Sequence, residues 1–338
     1  MDIYKNHSLK DYNTFGINVR ASLFAKVYSM DELRMLLLGY KNKRKLVLGG
    51  GSNVLLTKDI DHLVIFNSIK GFELVREYDN ESIVKVGSGE NWHEFVLKCL
   101  KYNLGGVENL SLIPGTVGAA PIQNIGAYGV ELKDVFERLE AVELATGKRY
   151  IFDRAACKFA YRDSIFKGDL KGKFFITSVY FKLSKQHDIN ISYGAIHEVL
   201  KAKGRTASEI SIQDVSEAVI AIRQKKLPDP KVLGNSGSFF KNPEITLAQF
   251  QELHQQFPEI VHYPLPTGKI KIPAGWLIEQ CGWKGKRVGN TGAYKKQALV
   301  LVNYGGASGQ EVYQLAQKIA ASVEEKFGIQ IVPEVNVI

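Results

Sequence analysis

Residues 45–53 read KLVLGGGSN, and this stretch joins a short apolar run directly to three glycines, a serine and an asparagine. The apolar run predicts a buried strand. Glycines that follow a strand let backbone N–H groups close around phosphate oxygens, because no Cβ atom stands in the way. A tight turn uses the same residues, so this stretch alone leaves a phosphate site and a plain turn equally open.

A second stretch rich in small residues, IPGTVGAAPIQNIGAYG, occupies residues 113–129. Small residues allow the backbone to approach a flat or extended ligand closely, although a buried loop packed on a helix has a similar composition. The first stretch matches neither the GxGxxG nor the P-loop pattern. Two such loops in one chain favour a dinucleotide site over two structural turns.

The pattern of apolar residues around these loops predicts a mixed α and β protein. Short β-prone runs are common up to residue 227, and two prolines in residues 227–230 (LPDP) mark a linker to a final region. The predicted strands lie at residues 45–48, 63–66, 82–86, 141–144, 174–183 and 329–332. The predicted helices lie at residues 92–102, 247–257, 274–280 and 308–327.

Composition bounds the class of protein. The chain has 338 residues, of which 45% are hydrophobic and 23% charged, as in globular proteins that bury large cores. Its net charge of +9 fits nucleic acid, an acidic membrane surface or anionic small ligands. The densest basic runs, residues 41–45 and 284–287, are short, so a distributed field for phosphate-bearing ligands is favoured over a nucleic-acid surface.

Several sites are disfavoured by what the sequence lacks. The three cysteines form no CxxC pair, and no HExxH pattern occurs, so no metal site is expected. Few cysteines favour a reducing compartment, and no apolar run is long enough for a membrane helix. The first residues also lack an apolar signal core, so the sequence predicts a cytoplasmic protein.

Three polar residues stand in unusual surroundings, yet each has an ordinary interpretation. Arg162, within YRDSIFK, could clamp a carboxylate, although a surface salt bridge is the commoner role. Ser238, between a glycine and two phenylalanines, could donate a proton, although turn serines are common. Glu334, between Pro333 and Val335, could be a placed acid or a charge that protects a strand edge. Taken singly, the ordinary interpretations are favoured.

Taken together, these motifs closely resemble the UDP-N-acetylenolpyruvoylglucosamine reductase family, whose members act in peptidoglycan precursor synthesis. The resemblance covers nearly the whole chain, and this many ordered motifs give a specific signal. The motifs are NTFG (13–16), LGGGSNVLL (48–56), GSGENW (87–92), ENLSLIPGTVGAAPIQNIGAYGVEL (108–132), YRDSIFK (161–167), KLPDPKVLGNSGSFFKNP (226–243), AGWLIEQ (274–280), QALVLVN (297–303) and PEV (333–335).

The resemblance implies an α+β fold. It consists of an FAD-binding domain pair of the vanillyl-alcohol-oxidase (PCMH) type and a smaller C-terminal α+β substrate-binding domain. The implied bounds are 1–69 for the first FAD-binding subdomain, joined by about 329–338, then 70–227 for the second and 228–328 for the substrate-binding domain. Residues 191–194, ISYG, resemble the tyrosine-bearing loop of the family's longer type.

The resemblance also implies an activity. The family reduces the enolpyruvyl group of UDP-N-acetylglucosamine enolpyruvate to UDP-N-acetylmuramate with NADPH and bound FAD. By resemblance, Arg162 and Glu334 stabilise an enol-like intermediate and Ser238 protonates it. The implied setting is a cytoplasmic monomer of cell wall biogenesis, cell shape, the cell cycle and cell division. No nucleic-acid or membrane partner is expected.

The same resemblance assigns further contacts, with one departure. Ala119 and Ala120 stand where some members carry serines, so flavin contacts there are expected from the backbone. The implied FAD contacts are Gly49, Gly50, Gly51, Ser52, Asn53, Pro114, Gly115, Thr116, Gly118, Ala119, Ala120, Gln123, Ile125 and Gly126. The implied substrate contacts are Tyr128, Tyr161, Tyr193, Arg223, Lys226, Asn242 and Gln297.

Two other functions would leave different marks in the sequence. An FAD-dependent oxidase of the same fold, acting on another substrate, should lack the GNSGSFFKNP segment (234–243) and the terminal acid Glu334, and both are here. A non-enzymatic binder of nucleic acid or another anionic polymer should show a clustered basic face with interleaved aromatic residues, and this chain does not. The reductase is therefore the favoured function.

Overall fold

The computed structural model describes residues 1–204, 206 and 209–338. The chain folds into two units, each made of separate stretches of sequence. The first contains residues 1–7, 21–50 and 60–225, and the second contains residues 8–20, 51–59 and 226–338. The boundary falls inside the first glycine stretch, between Gly50 and Gly51. The implied three-part domain division stays a prediction.

The first unit begins with a four-stranded sheet and one helix. The spatial order of the strands is Ile3–Ser8, Arg20–Val27, Ile60–Asn67 and Lys45–Leu48, and the last three are parallel. The terminal residues Ser8 and Arg20 of the first two strands are counted in the second unit. The helix Met30–Gly39 buries Leu33, Leu36 and Leu37 in a cluster that includes residues of the two central strands. This packing places the end of the strand Lys45–Leu48, and hence Gly49, at a defined position.

A five-stranded antiparallel sheet forms the larger part of the first unit. Its spatial order is Arg149–Asp153, Phe136–Glu143, Phe174–Ser184, Glu81–Gly87 and Phe72–Glu77. The helix Trp92–Lys101 packs on one face of it and buries Trp92, Phe95, Val96, Cys99 and Leu100. The remaining elements of this unit are the helices Gly194–Ala202 and Ile212–Lys226 (whose last residue lies beyond it), the 3-10 helices Glu108–Leu110, Val117–Gln123 and Leu132–Asp134, and the paired strands Gly126–Ala127 and Val130–Glu131.

The second unit contains three small sheets and three α-helices. The largest sheet is antiparallel in the order Gly234–Ser238, Gln297–Asn303, Thr291–Tyr294 and Arg287–Val288. The helix Gly309–Phe327 begins with a reciprocal cap between Ser308 and Glu311. The other elements are the strands Glu244–Ile245, Ile270–Lys271 and Tyr263–Pro264, the strands Val54–Leu55 and Asn336–Val337, the helices Leu247–Gln256 and Ala274–Gln280, and the 3-10 helix Lys10–Tyr12.

Most predicted elements are confirmed, with ends that shift by one residue or a few, but the strand predicted at residues 329–332 is wrong. The strand of this region is Asn336–Val337, which pairs in parallel with Val54–Leu55. Ile329 and Ile331 are buried as their spacing predicts. Alternating burial is therefore present without a ladder, because it reports which side chains pack and not whether a partner strand lies alongside. Among the described residues, no helix combines the length and the apolar character needed to cross a bilayer.

Trp92 is a central side chain in the hydrophobic packing beside the second glycine loop. It is fully buried, its ring contacts Phe95 and Phe181, and its indole N–H donates to the Leu110 carbonyl at 2.9 Å. We expect Trp92→Phe to lower the free energy of unfolding by about 1–3 kcal/mol, because a buried carbonyl loses its partner. Denaturant unfolding would measure this. Leu97→Ala, a partly exposed position on the same helix, is the matched control and should change stability much less.

Candidate functional site

The two glycine loops meet within the first unit. A Cβ atom on Gly50 would lie 3.0 Å from the Gly115 Cα atom, and one on Gly49 would lie 2.6 Å from the Thr116 Oγ1 atom. Only glycine allows the backbones to approach this closely. The structure therefore brings together two loops that the sequence treats as parts of one site.

Main-chain hydrogen bonds hold the second loop against residues 88–92. The Trp92 N–H donates to the Gly115 carbonyl at 3.0 Å, and the Val117 N–H donates to the Glu90 carbonyl at 2.9 Å. The Gly118 N–H donates to the Ser88 carbonyl at 2.8 Å, and a Cβ atom on Gly118 would collide with the Ser88 side chain. The loop is thus fixed in position by the turn that follows the strand Glu81–Gly87.

The first unit offers a polar group that suits a dinucleotide such as FAD. The Thr116 Oγ1 atom is buried and has no hydrogen-bond partner within the protein. A buried hydroxyl of this kind needs a partner, and a phosphate or flavin oxygen beside two Cβ-free glycines would supply one. The Ala119 N–H donates to the Thr116 carbonyl at 3.0 Å, so the loop closes on itself there. These residues fit an FAD-binding loop.

The remaining part of the first glycine stretch lies in the second unit. Gly51 has a φ of +60° and sits against Tyr12 and Asn13, where a side chain would collide with backbone. Its carbonyl accepts from the Thr14 N–H at 3.1 Å. The Asn53 carbonyl accepts from both the backbone and the side-chain N–H groups of Asn336, at 3.1 Å each. This half of the stretch is therefore held by the NTFG motif and by the end of the chain.

Arg162 lies half-buried in the first unit, in a strained conformation. Its φ is +53°, which non-glycine residues rarely adopt and which tends to occur where function requires it. The guanidinium donates to the Gly126 carbonyl, and a Cβ atom on Gly126 would lie 3.0 Å from the Arg162 Nη1 atom. Gly126 therefore leaves space for the Arg162 side chain. The Arg162 Cζ atom also lies 5.7 Å from the centre of the adjoining Tyr161 ring.

A second cation, Arg223, shares this neighbourhood with two tyrosines. The rings of Tyr128 and Tyr193 meet edge to face at 5.1 Å, and burial raises the pKa of Tyr128 while the charge of Arg223 opposes that shift. Burial lowers the pKa of Arg223, Tyr128 opposes that shift, and the charge of Arg162 adds to it. The Arg223 Nε atom is buried with no hydrogen-bond partner. Two guanidinium groups in partly desolvated surroundings suit an anionic ligand such as a carboxylate or a diphosphate.

In the second unit, a bulge presents Ser238 to solvent. The pairing of Gly234–Ser238 with Gln297–Asn303 slips between Asn235 and Ser238, and Gly237 has a φ of +70°. Such a bulge redirects the side chain that follows it. Phe239 and Phe240 are buried directly behind Ser238, which is itself exposed. The Ser238 side chain is therefore exposed at the end of a strand that is held in place by the buried phenylalanines that follow it.

Glu334 belongs to the same part of the second unit. Its N–H donates to the Phe239 carbonyl at 2.8 Å, and the Lys241 N–H donates to the Val332 carbonyl at 3.0 Å. This pairing is an isolated antiparallel bridge between Phe240 and Pro333, outside the regular strands. The backbone therefore brings Glu334 beside the segment that carries Ser238, although the two are far apart in sequence.

The other expected substrate contacts of the second unit are held locally. The Asn242 side chain accepts from the Ala274 N–H at 2.9 Å, and that of Gln297 accepts from the Leu299 N–H at 3.3 Å. Lys226 is exposed. Within the described residues, no group of three or more His, Cys, Asp or Glu side chains is placed to hold a metal ion.

Comparisons with known proteins identify the family. A relative from Flavobacterium johnsoniae, named UDP-N-acetylenolpyruvoylglucosamine reductase, is 53% identical over 339 aligned positions that cover 100% of both chains. Relatives of the same name from Amoebophilus asiaticus and Burkholderia orbicola are 51% and 49% identical and cover 100% and 99% of this chain, and 100% and 96% of their own. The chain belongs to the UDP-N-acetylenolpyruvoylglucosamine reductase family. The resemblance seen in the sequence is confirmed.

Domain and structure comparisons agree with membership of the reductase family. Residues 229–338 match the model of the UDP-N-acetylenolpyruvoylglucosamine reductase C-terminal domain, and residues 22–152 match that of an FAD binding domain. The crystal structure of the enzyme of this name from Thermus caldophilus has a TM-score of 0.68 at 22% identity, covering 99% of this chain and 98% of that one. A solvent-stable cholesterol oxidase has a TM-score of 0.50 at 12% identity, covering 98% and 86%. The expected fold of an FAD-binding part and a C-terminal domain is confirmed.

Two residues near the site were not singled out in the sequence. His93 follows the GSGENW motif, and its Nδ1 atom accepts from the Leu112 N–H at 3.0 Å. Leu112 has a φ of +59° and directly precedes the second glycine loop. Asn109 is buried, and its side chain donates to the carbonyls of Tyr128 and Asn190. The signal available was a polar residue inside an apolar run, which does not reveal its partners.

His93 must be neutral to accept the Leu112 N–H, and this gives a pH prediction. Burial lowers the pKa of His93, Glu94 opposes the shift, and Arg223 adds to it. The unfolded chain therefore binds the proton more tightly, and the wild-type protein should lose free energy of unfolding as pH falls below about 6.5. In His93→Asn the amide oxygen replaces Nδ1 as acceptor and does not titrate. Urea unfolding of both proteins at pH 8 and at pH 5 should show a smaller loss for the variant, and parallel losses would contradict this role.

Proposed function

We propose that this chain reduces the enolpyruvyl group of UDP-N-acetylglucosamine enolpyruvate to UDP-N-acetylmuramate, with FAD as cofactor and NADPH as reductant. Similarity to the family over the full chain supports the reaction. The meeting of the two glycine loops beside the unpartnered Thr116 hydroxyl is the observation that carries the cofactor assignment. The reaction belongs to peptidoglycan precursor synthesis.

The cofactor would be held by the two loops. When bound there, FAD would supply hydride transfer from NADPH to the vinyl CH₂ carbon of the substrate. Because Gly50 has no side chain, the first loop lies against Gly115 of the second, and the Thr116 hydroxyl beside this contact would hydrogen-bond to the cofactor. The full proposed set is Gly49, Gly50, Gly51, Ser52, Asn53, Pro114, Gly115, Thr116, Gly118, Ala119, Ala120, Gln123, Ile125 and Gly126.

Arg162 and Glu334 would stabilise the enol-like intermediate. Addition of hydride leaves negative charge on the neighbouring carbon and the attached carboxylate, and a fixed guanidinium lowers the energy of that charge. The hydrogen bond to Gly126 and the strained backbone fix the direction of Arg162 before substrate arrives. Fixing it beforehand avoids reorganisation during the reaction, which supports its assignment as the electrostatic group.

Ser238 would supply the proton that completes the reduction. A proton donor must be positioned within hydrogen-bond reach of the carbon that it protonates. The bulge at Gly237 and the buried rings of Phe239 and Phe240 hold Ser238 at the end of its strand with its side chain exposed. An exposed serine on a rigid support agrees with this role better than with that of a turn residue.

The substrate would be recognised mainly by cations and tyrosines. The diphosphate of the UDP group needs positive charge, and Arg223 carries a buried N–H with no partner inside the protein. The other proposed substrate contacts are Tyr128, Tyr161, Tyr193, Lys226, Asn242 and Gln297. The protein would act as a cytoplasmic monomer, without nucleic-acid or membrane partners, and would contribute to cell shape and division through the supply of wall precursor.

The loop contact gives a test of cofactor binding. Gly50→Ala would push the first loop away from the Gly115 backbone, so we expect at least a tenfold rise in the dissociation constant for FAD, equal to about 1.4 kcal/mol. Flavin fluorescence on reconstitution of the apoprotein would measure it. Gly39→Ala, at the end of a helix with open space around it, is the control and should bind FAD as the wild type does.

The proton donor gives a test of the reaction itself. We expect Ser238→Ala to be bleached by NADPH at the wild-type rate, while anaerobic recolouring by UDP-N-acetylglucosamine enolpyruvate slows by about 10²–10⁴-fold. Stopped-flow absorbance of the flavin measures both steps. A wild-type protein that NADPH reduces but that only oxygen recolours would favour an FAD-dependent oxidase of the same fold. A protein that cannot bind FAD would contradict the whole assignment.

A further inference from the structure

Asn109 lies at the centre of a buried polar junction that the reaction scheme above does not use. Its side chain is fully buried within the segment Glu108–Ser111, all four residues of which are buried. The Asn109 Nδ2 group donates to the Tyr128 carbonyl at 3.0 Å and to the Asn190 carbonyl at 2.9 Å. One amide group therefore ties two stretches that are far apart in sequence.

The second of these stretches, residues 185–193, lies outside any helix or strand. Near its end, the polar contacts of this stretch involve Asn190, whose side chain donates to the Gly129 carbonyl at 3.3 Å and accepts from the Ser192 hydroxyl at 2.7 Å. Ile189 and Ile191 also pack against neighbouring apolar clusters. Apolar packing thus fixes where the stretch lies. Its connection to the turn at Tyr128 depends on the hydrogen bonds of the Asn109 and Asn190 side-chain amides.

The two stretches carry the tyrosines of the site. Tyr128 has a φ of +51°, a conformation that persists only when the surroundings enforce it. Its carbonyl is one of the two that Asn109 holds. Tyr193 closes edge to face on the Tyr128 ring at 5.1 Å, three residues beyond Asn190. The geometry of the pair therefore follows from how the Asn109 amide joins the two backbones.

We propose that Asn109 is a positioning residue, which sets the Tyr128–Tyr193 pair and through it the affinity for the nucleotide-sugar substrate. The affinity part rests on the proposed function, because it takes the two tyrosines to contact that substrate. Asn109 itself touches the two carbonyls, whereas the tyrosine side chains face each other. Removing its two donors should release the Asn190 stretch and the Tyr128 carbonyl without disturbing the contact between Gly50 and Gly115.

An isosteric substitution isolates the donors from the packing. Asn109→Asp has nearly the same volume, but a carboxylate only accepts hydrogen bonds and would face two carbonyl oxygens. Asn67→Asp is the matched control, because Asn67 is also a buried amide of the first unit that donates to a main-chain carbonyl, that of Ile176. Asn109→Ser, which can satisfy one carbonyl, should give an intermediate effect.

The first measurement is amide hydrogen exchange of the ligand-free protein, which does not depend on activity. In Asn109→Asp, the amides of residues 189–193 should exchange at least about tenfold faster, as expected for the loss of two buried hydrogen bonds. The amides of the helix Gly309–Phe327 should be unchanged, and Asn67→Asp should leave residues 189–193 unchanged. Unchanged exchange of residues 189–193 in Asn109→Asp would overturn the role of Asn109.

The second measurement separates positioning from general loss of stability. Asn109→Asp should raise KM for UDP-N-acetylglucosamine enolpyruvate about tenfold or more, with a smaller change in kcat, and FAD content should be unchanged. In a Tyr193→Ala background the same substitution should raise KM by less than about twofold further, because the pair it positions is gone. Additive effects in the double variant would overturn the proposal. A wild-type protein that fails to turn over this substrate would overturn the proposed function and the affinity part, while hydrogen exchange would still decide whether Asn109 holds the tyrosine pair.

Discussion

The pairing of the second glycine loop with residues 88–92 is the constraint on which the first unit's site depends. Three main-chain hydrogen bonds align the two stretches, and the buried indole of Trp92 fixes their separation from the adjoining turn. In this position the Gly115 backbone lies so close to Gly50 that a Cβ atom on Gly50 would be 3.0 Å from the Gly115 Cα atom. His93 then ties the strained Leu112 to the same helix. One helix start therefore determines where a bound dinucleotide could lie.

Much of the fold can be predicted from the sequence, for physical reasons that differ between elements. The helix Gly309–Phe327 is found because its apolar residues recur on one face at helical spacing, and the Ser308 cap and Gly328 of the structure agree with those bounds. The segment at residues 329–332 is mistaken for a strand because burial alternates there, whereas strand formation needs a partner with free backbone groups. The helix is determined by its own sequence, whereas the conformation of residues 329–332 is determined by distant segments of the chain.

The candidate site divides in the same way. The glycine loops can be predicted because glycine itself is seen in the sequence where the backbone needs space. Ser238 and Glu334 can be predicted only from motifs that cover the whole chain. The sequence does not show the backbone contact between Glu334 and Phe239. It also does not show the positive φ angles at Tyr128 and Arg162. Nor does it show the role of Asn109, which depends on two carbonyls in other parts of the chain. Residues whose partners are distant are the ones that sequence reasoning misses.

The interleaved make-up of the two units has a consequence for how the protein can be divided. The second unit takes residues 8–20 and 51–59 from within the stretch that otherwise builds the first. No single cut in the chain yields either unit whole, so limited proteolysis at one site would leave two fragments that each lack necessary segments. During synthesis, the early segments of the second unit must also wait for residues 226–338 before they can pack. Gene fragments of this protein should therefore be designed as complementing pairs and not as isolated domains.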